Sequence, residues 1–268
     1  MSALALMMGV STMGASAQSP ESGVLYNVNL QNGRMTRVGV IGDGSPIAGL
    51  AIPASGPSMI HALTDDGRLL RFSPVVPSAV LAEVAITGLN DGEVLLGIDV
   101  RPATGELFAV GDSSTLYVID PETGMATAAG ESFTPAIDGD VVGFDFNPTV
   151  DRIRLVTNSG QNLRLNPETG QIGINPETDE PTIDGMVGFS EADGNSGTMA
   201  APHGAAYTNS VAGAEETQLY VIDLGTGSLV LQDPPNDGVL NTVGALGVAL
   251  DSTVSFDIAP SGAAYAAR

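Results

Sequence analysis

The sequence contains no cysteine, no tryptophan and no lysine. Without cysteine there is no disulfide scaffold, no thiolate zinc site and no cysteine nucleophile. Aromatic residues make up only 4%, and without tryptophan the chain lacks the broadest platform for stacking a sugar ring. Basic residues are scarce as well. There are nine, all arginine, against 31 acidic side chains, for a formal net charge of −22. A chain of this sign repels phosphate backbones and anionic membrane surfaces, so neither nucleic acid nor such a surface is expected as a partner. The hydrophobic fraction of 43% is too high for a disordered acidic chain. Beyond the amino terminus no apolar run reaches the ~20 residues of a membrane span. Neither Gly-x-x-x-x-Gly-Lys nor Gly-x-Gly-x-x-Gly occurs, and no Gly-x-Ser-x-Gly elbow is present. The two histidines, His61 and His203, lie far apart and show no metal-ligand spacing.

What is present begins with an apolar run, Ala3 to Val10, followed by Ala15-Ser16-Ala17. This reads as the remnant of a secretory signal over residues 1–17, cleaved before Gln18. The expected product is an exported protein, extracellular or periplasmic, with residues 18–268 as a single domain.

That domain repeats. Asp-Gly recurs at Asp43-Gly44, Asp91-Gly92, Asp138-Gly139, Asp184-Gly185 and Asp237-Gly238. An alternating strand keeps a similar phase at Leu25, Leu69, Leu116, Leu163 and Leu219, with Pro-Glu-Thr-Gly turns at 121–124 and 167–170. Gly97-Ile98-Asp99-Val100-Arg101-Pro102 is matched by Gly143-Phe144-Asp145-Phe146-Asn147-Pro148 and by Phe256-Asp257-Ile258-Ala259-Pro260. Short β-branched runs punctuated by Gly, Asn and Asp favour strands. In the third copy the strands read as Val142–Phe146, Arg152–Thr157, Asn162–Asn166 and a weak outer Gln171–Ile174. Four strands in 40–50 residues is a propeller blade. After Asp237 the chain holds only the first two strands of a blade, while residues 18–42 hold the last two. The spacing therefore predicts an all-β, five-bladed propeller whose last blade is assembled from both termini, which removes two open sheet edges. Six blades is the alternative, the extra one coming from residues 171–200, which otherwise read as a flap.

Scaffold residues repeat and catalytic residues as a rule do not. Asp99, Asp145 and Asp257 share one phase, so they are expected to accept backbone N–H groups at turns beside the inner strands. The Asp-Gly pairs read as turns leading into each blade. No cofactor is expected; the alternative is calcium at Asp91-Gly92-Glu93 or Asp138-Gly139-Asp140, whose oxygens suit a hard cation. What departs from the repeat is a basic, amide-rich blade. Arg152, Arg154, Asn158, Gln161, Arg164 and Asn166 form the candidate ligand site, because arginine forks and amides give directional bonds to carboxylates or sugars. The competing reading is ion pairing between blades.

Residues 143–154, 160–167 and 205–210, together with Gln232-Asp233-Pro234-Pro235-Asn236, resemble a bacterial family known as domain of unknown function 4394 over nearly all of residues 23–268. The resemblance implies a secreted or surface-associated propeller-like module and no activity. The functional expectation is a non-catalytic binding or extracellular assembly module, its partner an unidentified ligand, another protein or a second copy of the chain. The alternative is a glycoside hydrolase using Asp99, Asp145, Asp257 or Glu93 around a central channel, by analogy of fold alone.

Overall fold

The structure is a computed structural model that describes residues 21–56, 59–174, 181–250 and 253–268. The expected signal segment lies outside these residues. Twenty strands and no helix occur among the described residues. In chain order they are β1 (Val24–Val28), β2 (Met35–Val40), β3 (Ile47–Ala51), β4 (Ile60–Thr64), β5 (Arg68–Phe72), β6 (Val80–Ala85), β7 (Leu95–Val100), β8 (Leu107–Gly111), β9 (Leu116–Ile119) and β10 (Ala126–Ala128). They continue as β11 (Val142–Asn147), β12 (Arg152–Thr157), β13 (Asn162–Leu165), β14 (Gly188–Phe189), β15 (Pro202–Tyr207), β16 (Leu219–Asp223), β17 (Ser228–Gln232), β18 (Val239–Ala245), β19 (Ser255–Ile258) and β20 (Ala264–Ala267).

These strands form five antiparallel meanders, β3–β6, β7–β10, β11–β13, β15–β18 and β19-β20-β1-β2. The inner strands β3, β7, β11, β15 and β19 pack one against the next, and β19 returns to β3. The protein is a five-bladed β-propeller. Its last blade joins both ends of the chain, with Leu25 opposite Ala267 and Val28 opposite Ala264. A blade split this way closes the ring with backbone hydrogen bonds.

Five buried apolar clusters fill the five spaces between blades. Phe108 of the second blade, for example, meets Phe146 of the third edge to face, with ring centroids 5.2 Å apart. Such rings come from strands that alternate toward each neighbouring blade. At one level of the axis the inner strands approach so closely that four of the five carry glycine there. A Cβ on Gly143 would lie 2.6 Å from the backbone nitrogen of Ala205, and one on Gly204 would lie 2.7 Å from the Phe256 Cβ. Gly49, Gly97, Gly143, Gly204 and Ser255 occupy this position in the five blades.

Four expectations need correction. The third blade has three full strands, and its fourth is reduced to a single bridge between Leu165 and Ile172. Residues 181–200 do not form a flap or a sixth blade. Within them β14 pairs in parallel with β18 on the outside of the fourth blade, and Asp193 accepts the Thr242 amide hydrogen at 2.6 Å. The sequence phase also slips in the fourth blade. The segment beginning at Leu219 is its second strand, where Leu25, Leu69, Leu116 and Leu163 begin third strands. Asp184-Gly185 and Asp237-Gly238 do not lead into inner strands; they face each other, with Gly185 donating to the Asn236 carbonyl at 2.8 Å. Similar apolar strings in second and third strands hide a shift of one strand, because both are buried on two faces.

Candidate functional site

Two polar regions stand out. The first is the axis. Asp99 of β7, Asp145 of β11 and Asp257 of β19 are each at most 3% exposed, and one oxygen from each lies within 4.8 Å of the other two. The corresponding positions of the other blades are Ala51 and Ala206. Each carboxylate reaches across to the following inner strand. Asp99 accepts the Phe146 amide at 2.8 Å, Asp145 that of Tyr207 at 2.9 Å, and Asp257 that of Ile52 at 2.6 Å. Where the preceding blade carries alanine, the aspartate takes the amide next to it instead, Val100 for Asp99 and Ile258 for Asp257. Three carboxylates thus satisfy five inward-facing N–H groups. The expected bonding to backbone N–H is present, but three of the five bonds link neighbouring blades rather than fixing turns.

Burial pushes all three carboxyls up. For Asp99 it is reinforced by the charge of Asp257, and for Asp145 by Asp99 and Asp257. Asp257 rises to about 7, its two backbone N–H bonds opposing the shift. Carboxylate oxygens are the donors a hard cation takes; here five of the six already accept a backbone amide. Among the described residues this is the one group of three or more potential metal ligands. The Asp-Gly turns bring no such group together. The free space between the inner strands, lined by Gly97, Gly143, Gly204 and Ser255, is about 10 Å³, at the limit for one water.

The second region lies in the cleft between the third and fourth blades. Arg154 is 2% exposed. Its guanidinium donates to Asn162 Oδ1 and Asn236 Oδ1, each at 2.7 Å, and to Asp184 and the Tyr207 hydroxyl. Arg164 grips the same Asp184 with two bonds, at 2.8 and 2.9 Å. Arginine supplies this planar, forked geometry and lysine does not. Arginines also join the first three junctions between blades: Arg71 to Glu122, Arg101 to Asp151 and Glu168, and Arg154 with Arg164 to Asp184.

Arg152 is different. Its Nη1 donates to the Asp151 carbonyl at 2.8 Å, and it makes no ion pair among the described residues. The adjacent Asp151 carboxylate is turned to Arg101, which binds it through Nε at 2.9 Å and through Nη2. Arg152 lines a cavity of about 760 Å³ together with Arg164, Asn166, Thr134, Gln171 and Thr182. The candidate residues therefore divide. Arg152, Arg164 and Asn166 share this cavity, although Asn166 Oδ1 also caps the Glu168 amide at 2.9 Å. Arg154 lies beneath, inside the inter-blade network. Asn158 and Gln161 hold the 136–140 loop: Asn158 donates to Asp140 at 2.7 Å, and Gln161 donates to the Ala136 carbonyl at 2.8 Å. Sequence reasoning missed Asp184, the hub of both arginines. Its only signal was membership in an Asp-Gly pair, which hid it among turns.

Of the other candidates, Glu93 is drawn upward by burial, but donors from Ser113, Tyr117 and Asn90 outweigh this and hold its carboxyl below the usual range. His203 lies against the Ala201 carbonyl at 2.8 Å. His61 is buried, and its Nδ1 has no partner among the described residues.

The sequence model of a family described as Domain of unknown function (DUF4394) matches residues 68–268. A search of curated proteins finds no match. Among solved structures, a protein of unknown function from Bacteroides thetaiotaomicron VPI-5482 is 12% identical, with a TM-score of 0.55 over 91% of this chain and 66% of that one. An auxiliary nutrient binding protein from Bacteroides ovatus ATCC 8483 is 13% identical, with a TM-score of 0.52 over 91% of this chain and 65% of that one. Glutaminyl cyclase of Myxococcus xanthus is 11% identical, with a TM-score of 0.51 over 83% and 85%. The chain thus spans just under two thirds of the length of the two Bacteroides proteins. At these identities the likeness is one of fold.

Proposed function

The chain belongs to the DUF4394 family, and we propose that it is an exported, non-catalytic propeller that binds a ligand carrying a carboxylate, such as an acidic sugar, in the cavity lined by Arg152 and Arg164 of its third blade. One observation carries the reading. Arg152 enters a 760 Å³ cavity without an ion-pair partner among the described residues, in a chain of net charge −22. An unmatched guanidinium in a polar cavity of ligand size favours an anionic group with fork geometry. Arg164 and Asn166 stand beside it. The description of one fold neighbour as a nutrient-binding protein is compatible with this use of the scaffold.

Hydrolysis at the axis is the weaker reading. It needs two carboxylates about 5–10 Å apart with room for a sugar. The three aspartates are closer, buried and bonded to backbone. Self-association has some support of its own. Ile174, Ile183 and Met186 are more than half exposed beside the incomplete outer edge of the third blade, and an open edge invites pairing.

The test is a glycan array containing neutral and uronic-acid glycans, probed with the wild-type protein and Arg152→Ala. Uronic-acid signals that disappear in Arg152→Ala support the proposal. Signals that survive the substitution, or an array that stays blank, overturn it.

A further inference from the structure

A second cavity, of about 480 Å³, lies between the third and fourth blades. Asn147, which borders it, is the cross-strand partner of Arg152, but the lining is of opposite character. It carries Glu215, Glu216 and Asp233, the tyrosine ring of Tyr207, and apolar wall from Leu219 and Leu231. No lysine, arginine or histidine is in the lining, and none of the three carboxylates makes an ion pair among the described residues. Arg154 donates to the Tyr207 hydroxyl at 3.4 Å, but its charge is matched by Asp184.

An acidic rim is common on a protein of this charge and would carry nothing alone. The independent observation is Gln232, which also lines the cavity and is 1% exposed. Its Nε2 donates to the Pro235 carbonyl at 2.7 Å and, at 3.4 Å, to Asn162 Oδ1. Its Oε1 has no hydrogen-bond partner among the described residues. Turning the amide over would set that oxygen against the Pro235 carbonyl, so the orientation is fixed by chemistry. A buried acceptor without a donor is costly, and sites of this kind mark missing partners.

We propose that this cavity binds a primary aliphatic ammonium group. An ammonium supplies three N–H donors and a positive charge, which answers the orphaned Gln232 oxygen and the unpaired carboxylates. A short hydrocarbon portion packs on Leu219 and Leu231. A bare divalent cation fits poorly, because the three rim carboxylates do not converge as a ligand group and the space far exceeds one ion. The proposal is independent of the Arg152 cavity.

The test is calorimetric titration of the full chain with n-butylammonium chloride at low ionic strength, with tetramethylammonium chloride as the control that has charge but no N–H donor. Saturable binding of butylammonium in the millimolar range is expected, with tetramethylammonium weaker by about tenfold or more. The exposed double substitution Glu215→Gln/Glu216→Gln should weaken butylammonium binding by about tenfold without moving the unfolding midpoint, and Arg152→Ala should leave it unchanged. The side-chain carbonyl resonance of Gln232 should shift on titration. Absence of saturable binding, equal binding of tetramethylammonium, or an unmoved Gln232 resonance overturns the proposal.

Discussion

The Asp99 carboxylate accepts the amide hydrogen of Phe146, 47 positions along the chain and one blade further round the ring, at 2.8 Å. An inner strand has no neighbouring strand on its axial side, so its inward N–H groups need another acceptor. The acidic axis is therefore first a structural device. Asp99→Ala would orphan the amides of both Val100 and Phe146. We expect a loss of about 2–4 kcal/mol, read from denaturant unfolding. A loss below 0.5 kcal/mol would refute the latch.

Ionising these carboxyls works against the fold. Each is held above its ordinary value in the folded state, so the folded protein keeps protons that the unfolded chain releases. Their contribution is fully present below about pH 4 and fades as pH rises, for Asp257 through about 7. Denaturation midpoints should fall between pH 5 and pH 8. Asp257→Asn, which cannot ionise, should flatten that slope. An equally steep slope in the variant would show that other groups cause it.

His61 acts in the opposite sense. Burial, aided by the charge of Arg71, lowers it to about 4. The unfolded chain takes up a proton near 6.5 that the folded one refuses, so stability is lost as pH falls from about 6.5 toward 4. Phe108 holds the matching position in the second blade, opposite Asp99 as His61 is opposite Ala51. His61→Phe should remove this acid-side component, measurable as a smaller drop in Tm between pH 7 and pH 4.5. An unchanged drop would exclude His61 as its source.

The arginines of the third blade should separate by stability. Arg154→Ala breaks a buried network, leaving Asn236 Oδ1 without its donor and Asp184 without its buried cation; we expect a loss of about 3 kcal/mol or more. Arg152→Ala removes a cation without an ion pair and should stay within about 0.5 kcal/mol of wild type. Comparable losses in both variants would mean that Arg152 is structural too.

At the axis, Gly143→Ala sets a methyl group 2.6 Å from Ala205. Overpacking of this kind costs about 1–3 kcal/mol, and because the obstacle is backbone, little relaxation is available. A neutral substitution would show that the inner strands can part.

The sequence by itself determined the repeat, the five blades and the closure by both termini, because a blade is a local unit of alternating strands whose period survives in the chain. The phase of Asp99, Asp145 and Asp257 was equally legible, and so was the distinctness of the arginine-rich blade. What the tertiary structure decided was which groups meet. Three of the five N–H groups taken by the axial aspartates belong to other blades, and no local pattern encodes a partner 47, 62 or 205 residues away. Arg152, Arg154 and Arg164 read alike in one dimension. Asp184 ties Arg154 and Arg164 into ion pairs and Asn236 helps to bury Arg154, while Asp151 turns to Arg101 and leaves Arg152 facing a cavity. The slipped phase of the fourth blade has the same origin. Strands packed on both faces carry similar apolar strings, so only pairing tells a second strand from a third.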